Sequence, residues 1–233
     1  MKMRRAVLIL TLTMTAALAG CSIGRVGAPP SVFDLGLDAK PVPALPARAP
    51  IAMSLQAAPV LSDTSMIWRV GDSAAPKAYA TFRWASSPTE LVRQRITDRL
   101  SRQGPVLADR VNLQMPQLQL SLMQFEQVYA EDGQSSEGRI LLQAVLLNGR
   151  AVVAQKRIPV QTPAPTQDAA GGVAALRQAT DEAADQLAQW LAEVVQGAPE
   201  STPRRGFGPR PGPSYEPAFD IPAKSSGASR SAN

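Results

Sequence analysis

The stretch from Gln117 to Val160 constrains the fold more than any other part of this chain. Leu118, Leu120 and Leu122 alternate with Gln117, Gln119 and Ser121, the period-two pattern of a strand buried on one face. The apolar phase then slips to Met123 and Phe125, which predicts a bulge. Glu131-Asp132-Gly133 begins a polar turn. Ile140 to Leu147 is apolar on both faces, the pattern of a central strand covered by helices. Asn148-Gly149 comes next, a pair in which both residues tolerate positive φ, and Ala151 to Val160 returns beside the previous strand as a hairpin.

Two helices accompany these strands. Ser87-Pro88-Thr89-Glu90 places serine at the N-cap, proline where its missing N–H costs nothing, and glutamate at N3. Val92, Ile96 and Leu100 follow on one face. Arg95, Arg99 and Arg102 form a basic stripe beside it, with Asp98 spaced to pair with Arg102. That stripe is expected to be a solvated helix face; a docking surface for a partner or for lipid headgroups is the alternative. A long helix is expected from Ala169 to Gln196, burying Val173, Leu176, Thr180, Ala183, Leu187, Trp190 and Val194. Arg177, Asp181, Asp185 and Gln189 fall among its wet positions.

Upstream, Val32-Phe33-Asp34-Leu35-Gly36 is a short apolar segment, and Pro41, Pro43, Pro46 and Pro50 mark a bridge. Ile51 to Leu55, Met66 to Val70 and Tyr79 to Trp84 are strand candidates, with Leu61-Ser62-Asp63-Thr64 as a turn. Trp68, Trp84 and Trp190 are expected in the core. Strands and helices together point to one α+β domain over residues 31–196.

The two ends differ from this middle. Lys2, Arg4 and Arg5 precede an apolar run from Ala6 to Ala17, and Leu18-Ala19-Gly20-Cys21 follows at once. This is the layout of a secretory signal over residues 1–20, too short for a permanent membrane span. The tetrapeptide resembles the lipobox of bacterial lipoproteins, so cleavage is expected between Gly20 and Cys21, with lipid carried on Cys21. Several acyl chains, palmitate among them, would hold the protein firmly to a membrane. Residues 21–30 would be the lipidated linker. Ser22 suggests export to the inner leaflet of the outer membrane, facing the periplasm. The segment 197–233 holds seven of the 21 prolines and few aliphatic residues, and is expected to be a disordered tail, either passive or a tether.

Charge and chemistry exclude several function classes. The formal net charge is +5, but three basic residues lie in the signal, and residues 21–196 carry sixteen charges of each sign. No nucleic-acid partner is expected. The chain has no histidine and one cysteine, which removes Ser-His-Asp and Cys-His nucleophiles and the common transition-metal sites. Gly171-Gly172 lacks the lysine of a P-loop. The carboxylate pairs Glu131-Asp132 and Asp181-Glu182 lie in a turn and on a wet helix face. No catalytic residue, metal or cofactor is expected beyond the covalent lipid.

Several stretches resemble the ABC-type transport auxiliary lipoprotein family, the PqiC-like components. They are the lipobox, Phe33-Asp34-Leu35-Gly36, the run from Asp63 to Val70, and Ala78 to Pro88 with its capped helix. Leu122 to Tyr129 and the helix carrying Gln189-Trp190-Leu191 complete the resemblance. Arg83-Trp84 is its most specific part. The resemblance implies a mixed sheet with helices against it. It also implies a non-enzymatic adaptor beside an ABC ATPase, a permease and an MCE-domain protein, in lipid or apolar-solute transport. An MCE-domain periplasmic partner follows, with a homo-oligomer as a further possibility. Arg83, Trp84, Arg95, Arg99 and Arg102 are the candidate partner contacts. A lipid carrier with an apolar cavity, and a scaffold for envelope assembly or cell-wall attachment, are the alternatives.

Overall fold

A computed structural model describes residues 29–38, 40–108 and 115–197. Gly20, Cys21 and the 198–233 segment lie outside the described residues.

Three long strands make an antiparallel meander: β6 (Gln117–Tyr129), β7 (Ser136–Asn148) and β8 (Ala151–Pro163). Leu118, Leu120 and Leu122 are at most 1% exposed, as their alternation requires. The expected bulge is present. Register shifts between Leu122 and Gln124, which leaves Met123 57% exposed and turns Phe125 inward. The hairpin differs from expectation by one residue. Asn148 pairs with Ala151, so the loop is Gly149-Arg150, with only the glycine of the Asn-Gly pair in it, at φ 59°. A second shift, between Leu146 and Leu147, offsets the two strands just before the turn.

β7 is central within the meander, but helices cover only one of its faces. Ile140, Leu142, Ala144 and Leu146 are buried, while Val145 and Leu147 on the other face are half-exposed. Apolar residues on both faces mark the strand's central position and overstate its cover.

β7 occupies one edge of β6 along its length, so every other neighbour of β6 lies on the opposite edge. There β2 (Ile51–Ala57) pairs in parallel with Gln117 to Leu122, and β3 (Ser65–Val70) with Gln127 to Tyr129. β4 (Lys77–Trp84) runs antiparallel to β3. β1 (Ser31–Phe33) joins β4, and β5 (Val106–Ala108) joins β2, both in parallel. The result is a mixed sheet of eight strands. β1 and β5 have three residues each, too few to show a period, and are not expected as strands from their sequence.

α1 (Pro88–Ser101) starts as its sequence requires. The Ser87 hydroxyl accepts the Glu90 backbone N–H, Pro88 opens the first turn, and Val92, Ile96 and Leu100 are at most 1% exposed. Thr89 donates to the Leu61 carbonyl, fixing the helix start on the 3-10 turn Pro59–Leu61. α2 (Ala169–Gly197) lies beside α1 and packs on β7 and β8. Its inner face is mostly alanine, with Ala179, Ala183, Ala184 and Leu187 fully buried, which permits close approach. At Gly138 a Cβ would stand 2.6 Å from the Leu176 nitrogen, so this glycine sets the spacing of helix and sheet.

Candidate functional site

Two groups of polar and aromatic side chains stand apart from the apolar core. The first is built on the arginines of α1. The expected solvated stripe is not observed: side chains of Arg95 and Arg99 are 5% and 2% exposed, and only Arg102 reaches water, at 35%. Arg99 donates to Asp38 at 2.8 Å and to both oxygens of Asp185 at 2.6 and 2.8 Å. Arg95 faces Asp181 at 3.1 Å and donates to the Leu35 carbonyl at 2.6 Å. Arg102 reaches Asp38 at 2.7 Å and, as its spacing predicts, lies 3.6 Å from Asp98. Asp181, expected on a wet face, is 3% exposed. Burial pushes its carboxyl above the usual range, outweighing the opposing influence of Arg95 and Arg99. The cause of the difference is the neighbour. Periodicity locates a second polar face on each helix, and here those faces meet each other.

This arginine cluster also holds the segment after β1. Arg177 donates to the Leu37 carbonyl at 2.6 Å, and Arg102 to that of Lys40 at 3.3 Å. Gly36 turns there at φ 63°, with the Arg177 guanidinium 3.2 Å from where its Cβ would be. Residues 35–38 are thereby clamped between α1 and α2.

The second group lies where β3, β4 and the end of β6 meet. Trp68, expected in the core, is half-buried and walls an open cleft of about 330 Å³ with Tyr79, Tyr129 and Glu131. Trp68 packs edge-on against Tyr129 at 5.7 Å between centroids, and tilted against Tyr79 at 6.1 Å. Lys77 places its ammonium 5.1 Å from the Trp68 ring centre. The Tyr79 hydroxyl donates to Gln127 Oε1 at 2.8 Å, so Tyr129 donates to Tyr79 across 2.7 Å. Burial and the Tyr129 contact both push the Tyr79 hydroxyl up. Buried Gln127 donates to Ser136 and to the Asp168 carbonyl, tying three strands to the start of α2. Gly172 is required here, because a Cβ would fall 2.0 Å from Gln127 Oε1. Packing therefore explains this half of the Gly171-Gly172 pair.

Of the remaining candidates, Trp84 is 2% exposed and packs tilted against Phe125, 5.4 Å between ring centroids. Arg83 folds back onto the Tyr79 and Phe82 carbonyls, where it supports the irregular middle of β4. Neither residue joins the arginine cluster or the cleft wall. Asp38 and Gln127 escape sequence reasoning; each is a single polar residue in an unremarkable local context. Among the described residues no group of His, Cys, Asp and Glu is placed to hold a metal ion, and no helix is long and apolar enough to cross a membrane.

A mixed sheet with two helices over one face, held just after its first strand by buried arginines, defines an α+β domain. The chain belongs to the family of ABC-type transport auxiliary lipoprotein components, whose model matches residues 39–188. Among solved structures it is similar to a Xanthomonas campestris protein of family DUF330. Identity is 22%, with a TM-score of 0.58 over 72% of this chain and 95% of that one. An uncharacterized protein matches at 14% identity and a TM-score of 0.57, over 70% and 99% of the two chains. No curated protein matches.

Proposed function

We propose that this protein is a non-enzymatic adaptor, lipid-anchored through Cys21 to the inner leaflet of the outer membrane. It docks an MCE-domain periplasmic assembly in the transport of lipids or apolar solutes. The observation that carries this reading is the family match over residues 39–188. The clamp supports it, because an adaptor must transmit position from its anchored segment to its body, and residues 35–38 are held by ion pairs to Asp38 and arginine bonds to the Leu35 and Leu37 carbonyls. The carrier alternative finds little support between sheet and helices. Leu142, Ile158, Ala183 and Leu187 fill that interface, and the space beside Leu45, Ala188 and Leu191 is about 50 Å³, room for a side chain rather than an acyl chain.

The test is crosslinking in living cells with partner identification by mass spectrometry, using Cys21→Ser as the unanchored control. Capture of an MCE-domain protein, weakened in the control, is the expected result. Crosslinks to cell wall or assembly proteins alone would overturn the adaptor and promote the scaffold.

A further inference from the structure

The aromatic cleft has a charge layout that neither the fold nor the adaptor role requires. Its walls are three half-buried rings, Trp68, Tyr79 and Tyr129, with one anion, Glu131, in the lining and one cation, Lys77, over the Trp68 face. Neither Glu131 nor Lys77 has an ion-pair partner among the described residues. Two opposite charges flanking aromatic faces are complementary to a small zwitterion. Aromatic faces attract ammonium groups, the carboxylate adds to that attraction, and the lysine ammonium attracts an anion.

Chain direction brings the residues just before β1 in from the side of this cleft. β1 runs parallel to β4, with Ser31 opposite Phe82, so the chain before Ser31 comes from the side of Tyr79 and Lys77. Aromatic contacts connect the two places ring by ring: Phe33 to Phe82 at 5.7 Å, Phe82 to Tyr79 at 5.8 Å, and Tyr79 to Trp68 at 6.1 Å. Cys21 precedes Ser31 by ten residues, a reach of at most about 35 Å. A lipid on that cysteine keeps the cleft within reach of the bilayer surface.

We propose that the cleft binds the headgroup of a zwitterionic phospholipid of the anchoring membrane. Its ammonium lies against Tyr129 beside Glu131, and its phosphate faces Lys77 over Trp68. Delivery to a bilayer rests on the lipid-anchored reading above; the headgroup chemistry does not.

Trp84 and Trp190 are buried, so tryptophan fluorescence responds to a ligand in the cleft through Trp68. Full-length lipidated protein, in a detergent without a zwitterionic headgroup, is titrated with glycerophosphoethanolamine and separately with glycerophosphate. A saturable change with the first is expected. Glu131→Gln weakens it threefold to tenfold and leaves the weaker glycerophosphate response unchanged, while Lys77→Gln weakens both. Both side chains are at the surface, so the variants keep the fold. No saturable change, or equal binding of the two compounds insensitive to Glu131→Gln, overturns the proposal. The protein is then placed in phosphatidylethanolamine vesicles carrying a headgroup quencher, where strong quenching, lost in Trp68→Phe, is expected. Binding in solution without quenching in vesicles overturns the membrane as the source. Mass spectrometry of the Cys21 peptide, on the same preparation, reports independently whether the anchor reading holds.

Discussion

Arg93 and Arg99 belong to the same helix, and their surroundings give them different weights. Arg93 pairs with Glu90 in water, with side chains 43% and 46% exposed, where such pairs contribute about 0–1 kcal/mol. Arg99 is 2% exposed and holds Asp38 and Asp185 across α1, α2 and the segment after β1. Removing Arg99 takes from Asp185 its partner among the described residues and from Asp38 its most buried one, and breaking a buried pair in this way costs about 3–5 kcal/mol. Chemical denaturation should therefore show Arg99→Ala losing that much stability and Arg93→Ala less than about 1 kcal/mol. Equal losses would mean that the cluster is solvated. Asp168 gives a pH-dependent case. The Gly171 N–H, and then the Thr166 hydroxyl, hold its carboxyl below the usual aspartate range. A depressed carboxylate contributes stability that is present above its unfolded value, about 3.9, and is lost as pH falls through the folded value. The stability gap between wild type and Asp168→Ala should be constant at neutral pH and narrow below about pH 4.

Elements with strong local signals are legible in the sequence. Ser87, Pro88 and Glu90 define the start of α1, because a capping serine satisfies an N–H that the helix itself cannot. Ser87→Ala should lower the unfolding free energy by about 1 kcal/mol, read from the thermal midpoint. The bulge at Met123 is legible for a similar reason: a phase slip in a period-two pattern has few other causes. The hairpin loop lies one residue from its expected place because the Leu146/Leu147 register shift belongs to the pairing of two strands, and a dipeptide cannot reveal it. Packing between elements gives a further prediction. Gly138→Ala brings a methyl against backbone atoms of Ala175 and Leu176, which cannot rotate away. A loss of about 1–3 kcal/mol is expected, with α2 displaced from β7. A neutral result would mean that the helix has slack against the sheet.

For the whole molecule, the clamp connects one end of the chain to its body. Leu35 to Asp38 makes no regular structure, yet Arg95, Arg99, Arg102 and Arg177 all bond to it. Asp38→Ala removes the shared acceptor of Arg99 and Arg102. Hydrogen exchange should then rise first in residues 35–38, ahead of the β6–β7 ladder, because this segment has few other contacts to hold it. Exchange rising uniformly along the chain would argue that the clamp and the core open as one unit.

The sequence by itself determined the lipobox pattern, the cap of α1, the alternating strands and the family resemblance, since each is written in residues adjacent or nearly adjacent along the chain. Only the tertiary structure decided that the arginine stripe is buried, that Trp68 lines a cleft, and that Asp38 and Gln127 matter. Arg99 meets Asp38 across 61 residues and Asp185 across 86, and Tyr79 meets Gln127 across 48. A charged helix face looks the same in sequence whether water or an oppositely charged helix covers it. The difference arises only when two distant faces are brought together, because desolvation and pairing belong to the contact and not to either segment alone.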